Sequence, residues 1–230
     1  MLFGSKDKAL VNAIMAEDFA TAKSLIKQGA DPNAMTPSKV PLPIHVTRMA
    51  SPSRLQFLLD NGADPEISDA QAGVPLMYAS ANGCLRCVQI LLERGVKINC
   101  TDKTGLTPLM GAAHEGQVDV THALLAAKPN LEAKDIEGFT ALMYAAKGQH
   151  LDVVRALLAG GADPNAVALD GSTPPMFAAQ FGNLPVVKAL IEAGAGVTAR
   201  GKHGYTVRGL AKHAGKPELE AYLDSLGAPL

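Results

Sequence analysis

Phe139-Thr-Ala-Leu-Met-Tyr-Ala-Ala146 is one of four versions of a phrase that returns along this chain at a fixed interval. The others are Gly73-Val-Pro-Leu-Met-Tyr-Ala-Ser80, Leu106-Thr-Pro-Leu-Met-Gly-Ala-Ala113 and Ser172-Thr-Pro-Pro-Met-Phe-Ala-Ala179. Matched positions lie 33 residues apart, so Met77, Met110, Met143 and Met176 form one column, and Leu76, Leu109, Leu142, Pro175 and Arg208 another. A constant period of this size marks a solenoid, in which each unit buries its apolar face only against its neighbours. Such a stack has one continuous core and no internal domain boundary.

Working outward from the phrase, each position has a physical reason. Thr107 and Thr173 are N-cap residues whose hydroxyls accept orphan amide hydrogen bonds, and Pro108 and Pro174 sit at the favoured first helical position. Paired alanines (Ala112-Ala113, Ala145-Ala146, Ala178-Ala179) let short first helices approach each other closely. A turn leads to a second helix with an apolar stripe at helical spacing, as in Val153-Val154 and Leu157-Leu158. Gly95, Gly161 and Gly194 then stand where a helix ends in the left-handed conformation. Gly29-Ala-Asp-Pro-Asn33 and Gly161-Ala-Asp-Pro-Asn165 continue as a turn and an extended segment.

This order of elements resembles the ankyrin repeat: helix, turn, helix, then a β-hairpin-like loop projecting sideways. The resemblance covers nearly the whole chain and implies an all-α solenoid forming a single domain over residues 1–230. Seven units are expected, at 5–36, 37–68, 69–101, 102–134, 135–167, 168–200 and 201–230, the first and last being caps with polar faces. The family's His after Thr-Pro-Leu is replaced by Met in four units, which exchanges a hydrogen-bonding device for an adaptable apolar one. His45 is read as keeping that family position. Unit two is expected to be one residue short between its helices, at Ser51-Pro-Ser53, and to follow an insert at Thr36 to Pro41. Lys128-Pro129-Asn130 replaces Gly-Ala-Asp in unit four; Lys is a poor left-handed residue, so a looser joint is expected there.

Composition narrows the function. A formal net charge of -1, with no basic run or basic-aromatic interleaving, argues against nucleic-acid binding. Met1-Leu-Phe-Gly-Ser-Lys-Asp-Lys8 lacks the apolar core of a secretory leader, and no apolar stretch is long enough to span a bilayer. The expectation is a soluble, cytoplasmic protein without membrane contact, or a periplasmic or secreted one if a leader has been removed. Cys84, Cys87 and Cys100 form no disulfide framework, which fits a reducing compartment. Cys84-Leu-Arg-Cys87 has metal or redox spacing. A structural zinc takes four ligands, however, and the repeat register puts Cys87 in the core and Cys84 on a turn. Six scattered histidines form no paired-ligand pattern. No catalytic, cofactor or metal site is assigned, and no cofactor is expected.

Partners of ankyrin-repeat proteins dock on the concave face built from hairpin tips and first helices. Counting from the ruler leucine, the resemblance implies hairpin contacts at Lys103, Leu106, Ile136, Phe139, Leu169 and Tyr205. It implies helix contacts at Tyr78, His114, Glu115, Tyr144, Lys147, Phe177, Gln180 and Phe181. Leu106, Ile136, Phe139, Leu169, Phe181 and Tyr205 are apolar where exposure is expected, and a contiguous set of that kind marks an interaction site. Gly111, between Tyr78 and Tyr144 in its column, is expected to leave a notch. The expected function is a non-catalytic interaction module, monomeric when free, that grips another protein over units four to six as inhibitor, protector or adaptor. The alternative is a Cys-dependent metal or redox protein using Cys84 and Cys87.

Overall fold

The structure, a computed structural model, describes residues 4–230. Met1 to Phe3, part of the stretch read for a leader, lie outside the described residues. Among the described residues, fourteen helices follow one another in seven helix-turn-helix pairs. These are α1 (Ser5–Met15) with α2 (Phe19–Lys27), α3 (Leu42–Arg48) with α4 (Pro52–Asp60), and α5 (Pro75–Ala81) with α6 (Leu85–Glu93). Next come α7 (Pro108–His114) with α8 (Val118–Ala126), and α9 (Ala141–Lys147) with α10 (Leu151–Ala159). The last pairs are α11 (Pro174–Gln180) with α12 (Leu184–Glu192), and α13 (Val207–His213) with α14 (Pro217–Ser225). First helices pack on first helices from α3 to α13, and second helices on second helices from α4 to α12, giving two layers.

The period never breaks. First helices from the second pair on begin at 42, 75, 108, 141, 174 and 207, and second helices at 19, 52, 85, 118, 151, 184 and 217. The expected short turn at Ser51-Pro-Ser53 and the insert at Thr36 to Pro41 are therefore absent. The misreading has a local cause. Pro43-Ile44-His45 imitates Pro-Leu-Met one residue out of register, whereas Leu42-Pro43 is Pro75-Leu76 with the order reversed. Ile44 occupies the methionine column, fully buried, and His45 shares its column with Tyr78 rather than with the family histidine.

Neighbouring units are joined in three ways. The ruler leucines Leu76, Leu109 and Leu142 and the second-helix leucines Leu91, Leu124 and Leu157 are at most 2% exposed, each burial contributing roughly 1.5–3 kcal/mol. A side-chain oxygen of Asn33, Glu66, Asn99, Glu132 and Asn165 accepts the backbone N–H of Asp64, Lys97, Asn130, Asp163 and Gly196 at 2.7 to 2.9 Å, a rung at every one of these joints. At the hairpin tips, the N–H groups of Lys103, Ile136 and Leu169 donate to the carbonyls of Gln71, Thr104 and Glu137 at 3.1, 2.9 and 3.0 Å. The methionines do more than fill space. Thr107 Oγ1 accepts the Met110 N–H at 3.2 Å, and the Met110 Sδ accepts the Thr107 N–H at 3.4 Å, so Met110 closes a capping box. Thr173 stands at its N-cap but makes no side-chain cap bond.

Lys128 takes φ +56° where Gly95 and Gly161, in the same column, take +73° and +94°. An L-residue with a Cβ pays about 1–2 kcal/mol for that conformation, offset in part by the greater freedom of glycine in the unfolded chain. Lys128→Gly is accordingly expected to stabilise the protein by about 0.5–1 kcal/mol. Equilibrium urea unfolding reads this directly, and a midpoint that falls would show that Lys128 carries no strain.

Candidate functional site

The face built from hairpins and first helices is held in shape by a repeated aspartate. Asp69, Asp102 and Asp135 recur 33 residues apart. Each uses Oδ1 to accept two backbone N–H groups of its own hairpin: Gln71 and Gly73, Thr104 and Leu106, Glu137 and Phe139, all at 2.8 to 3.1 Å. The Oδ2 atoms of Asp69 and Asp135 each accept a tyrosine hydroxyl, from Tyr78 and Tyr144, at 2.6 Å, which ties the first helix to the hairpin. Arg48 adds an ion pair to Asp69 at 2.9 Å and lies 4.1 Å from the Tyr78 ring centroid. Burial pushes the Asp69 carboxyl up, but hydrogen bonds from Tyr78, Gln71 and Gly73 and the Arg48 charge outweigh it and leave it below its ordinary value. Burial, and then the bond to aspartate, raise both tyrosine hydroxyls.

Unit four lacks this strut, because Gly111 stands in the tyrosine column and leaves Asp102 without a tyrosine donor. The three heavy atoms nearest a Cβ placed on Gly111 all belong to Ala81, at 3.5 to 3.9 Å, so that Cβ would sit in ordinary contact, and Gly111 is itself buried.

The sequence-derived contacts divide into two groups. Ile136 (66%), Leu169 (78%), Phe181 (44%) and Tyr205 (57%) are exposed large apolar side chains, and Lys103, His114, Glu115, Lys147 and Gln180 are exposed polar ones. Leu106, Tyr78 and Tyr144 are half-buried. Phe139 and Phe177, expected on the surface, are buried at 8% exposure each, and this corrects their assignment. Their rings meet edge to face with centroids 5.0 Å apart, Tyr144 sits 5.8 Å from Phe139, and Lys147 Nζ lies 5.5 Å from the Phe139 centroid. The two phenylalanines form an internal strut under the hairpins, so Asp at 139 would bury a charge and unfold the unit rather than probe the surface.

Ile136, Phe139 and Leu169 come together around a shallow hollow of about 420 Å³, with Glu137, Asp170 and Lys202. Phe177, Gln180 and Tyr205 line a second, larger cleft of about 780 Å³ that also borders Asp170 and Lys202. Tyr78, Lys103, Leu106, His114, Glu115, Tyr144, Lys147 and Phe181 border neither. Sequence reasoning missed Gly209, Leu210 and Lys212 on the wall of the larger cleft. The signal was present: Gly209 stands 33 residues after Met176 and ends the methionine column.

The repeat geometry is matched by comparison with known families. The description "Ankyrin repeats (3 copies)" fits residues 10–102, 44–135, 76–168 and 122–201 in overlapping placements. The chain belongs to the ankyrin-repeat family. Repeats of this family generally mediate protein–protein interaction. A search of curated proteins returned no significant match. No helix among the described residues is long and apolar enough to cross a membrane.

Within this ankyrin-repeat chain the cysteines depart from expectation. Cys84 and Cys87 are joined by a disulfide, a single bridge in a chain for which no disulfide framework was expected. The register explains it: Cys84 is the N-cap of α6 and Cys87 its third residue, so both sulfurs lie at the same helix end. Cys84 is partly exposed and Cys87 fully buried. Burial pushes the Cys100 thiol up to about 11, which keeps it protonated at neutral pH. Among the described residues, no group of three or more His, Cys, Asp or Glu is disposed to hold a metal ion.

Tyr78→Phe removes one bond to the Asp69 carboxylate and is expected to cost about 1 kcal/mol at neutral pH. The folded-state pKa of Asp69 is depressed, so its stabilisation is present above the unfolded value of about 3.9 and lost as pH falls through the folded one. The variant should therefore lose less stability than the parent between neutral and strongly acid pH. Parallel acid-titration curves of unfolding free energy for the two proteins would contradict this.

Proposed function

We propose that this ankyrin-repeat chain is a non-catalytic binding module, monomeric when free, that holds a partner protein against the concave face of hairpin tips and first helices. The observation that carries the reading is the pair Ile136 and Leu169. They are 66% and 78% exposed on adjacent hairpins and share the wall of one hollow. Large apolar side chains held side by side in water by a backbone hydrogen bond, Leu169 N–H to Glu137 O at 3.0 Å, supply contact area without a large ordering cost. Exposed Phe181 and Tyr205, with the polar residues Lys103, His114, Glu115, Lys147 and Gln180, extend the proposed contact along the face. The tyrosine struts and the Phe139–Phe177 pair keep that face rigid, so the module acts by what it covers or brings together: as inhibitor, protector or adaptor.

A second reading, thiol–disulfide chemistry, is favoured by the Cys84–Cys87 bond. A partner dithiol attacking the more exposed Cys84 sulfur would become a disulfide while Cys84 and Cys87 take up its electrons and protons as thiols. Replacing both cysteines by serine separates the readings, since partner capture through the hairpins does not need them.

Ile136→Asp with Leu169→Asp places both changes on exposed side chains, so the melting temperature is expected to hold. Capture of the native partner, measured by affinity purification and then calorimetry, should weaken by about tenfold or more. Full-strength capture by the folded double variant would remove this face from consideration.

A further inference from the structure

The larger cleft exists because one buried column stops. Met77, Met110, Met143 and Met176 are buried, at 7% exposure or less, whereas the same position in the last unit is Gly209, inside α13. A Cβ on Gly209 would have Thr206 Oγ1 as its only neighbour within 4 Å, at 3.3 Å, so the missing side chain leaves open room. The room is part of a cleft of about 780 Å³ whose apolar wall includes Phe177, Leu210 and Tyr205. Its charged side chains are two lysines, Lys202 and Lys212, against one side-chain carboxylate, Asp170, with His203, His213 and Leu230 also on the wall. Asp170 is already occupied, accepting the Ser172 N–H and hydroxyl at 2.9 Å each. The two lysines and two histidines are exposed and enter no ion pair among the described residues. The two unpaired lysines belong to a chain whose net charge is -1, so their pairing on this wall is a local arrangement and not a property of the whole surface.

We propose that the cleft receives an acidic peptide segment of the partner protein, with one bulky apolar side chain entering the room at Gly209 and carboxylates meeting the rim of Lys202, His203, Lys212 and His213. The proposal rests on the partner-binding reading above and adds the chemistry of the segment bound. Asp170 and Lys202 border both the cleft and the Ile136–Leu169 hollow, so an extended segment can run from one into the other. Opposite charge across an exposed rim fixes register and speeds encounter, and the buried apolar anchor slows release.

The probe is a set of labelled peptides in which alternating Glu and Gly flank a central Phe, Leu or Ala, with a Lys-for-Glu counterpart. Fluorescence anisotropy is measured against the full chain. The Glu peptides with Phe or Leu are expected to bind, more weakly as salt rises. The Ala-centred peptide should be weaker by about tenfold, and the Lys counterpart should not bind. Lys202→Glu with Lys212→Glu should weaken binding by about tenfold or more. Gly209→Met should do the same while the melting temperature stays level or rises, because a helix-interior glycine is replaced by a good helix former. Equal binding of the Glu and Lys peptides overturns the proposal. So does undiminished binding by folded Gly209→Met, or displacement of the peptide by single-stranded RNA that binds more tightly. Native-partner capture keeps the two failures apart. If it needs Ile136 and Leu169 but tolerates the lysine reversals and Gly209→Met, the cleft assignment alone falls. If it ignores Ile136 and Leu169 while the Glu peptides fill the cleft, the hollow falls and the cleft stands.

Discussion

No unit of this chain can satisfy itself. Each helix pair has an apolar stripe wider than its own partner helix can cover, and each loop presents an N–H that its own unit leaves unbonded. The neighbour supplies both, the leucine ladder covering the stripe and an Asn or Glu oxygen closing the N–H across the joint. Because the same short reach is used every time, the 33-residue spacing is held along the stack even where residue identity drifts. An uncovered leucine would cost roughly 1.5–3 kcal/mol. The rungs are exposed and each adds only about 0.5–1.5 kcal/mol, so the leucine ladder is the stronger of the two joints. Stability is then a sum over units and joints, and a weak position such as Lys128 acts locally rather than on the whole molecule.

The same constraint divides labour among the columns. Positions facing the neighbour admit little change: Met, Leu and paired Ala recur because a cavity there opens against two units. Positions at the hairpin tips are bound only through backbone atoms, so side chains as different as Lys103, Ile136, Leu169 and Lys202 follow one another on one hydrogen-bonded ladder. A rigid frame thus carries a face whose chemistry is free to vary. The tyrosine–aspartate struts in units three and five strengthen the frame from within, and at Gly111 the aspartate of the pair is kept while the tyrosine is not.

The sequence made the buried columns legible because burial repeats. The methionine and leucine columns, the Thr107 cap and the left-handed glycines all carry the period in residue type. Register failed at Pro43-Ile44-His45, where an inverted Leu-Pro pair imitates the phrase one residue away; only the helix boundaries resolve it. Exposure failed at Phe139 and Phe177, since a column count gives the direction of a Cα–Cβ bond but not whether a large ring lies down on its neighbour. Ile136 and Leu169, at the hairpin tips, stayed exposed as expected. The Cys84-Leu-Arg-Cys87 spacing was legible as a redox pair, but the repeat register, with Cys87 in the core and Cys84 on a turn, argued against it. A single bond closing one helix end needs only two residues three apart at that end.

Gly209 shows where a broken column is tolerated. A glycine in place of Met110 or Met143 would empty a site packed from both sides and would undo the cap that Met110 closes. Among the described residues α13 packs on α11 and α14 and on no later first helix, so the same loss at Gly209 opens a cleft to water instead of a void in the core. An open cleft has little cavity cost, and its lining can then take on charge, as Lys202 and Lys212 do. In a stack held by neighbours, packing can be traded for a binding site where a column breaks beside an open wall, as it does at Gly209.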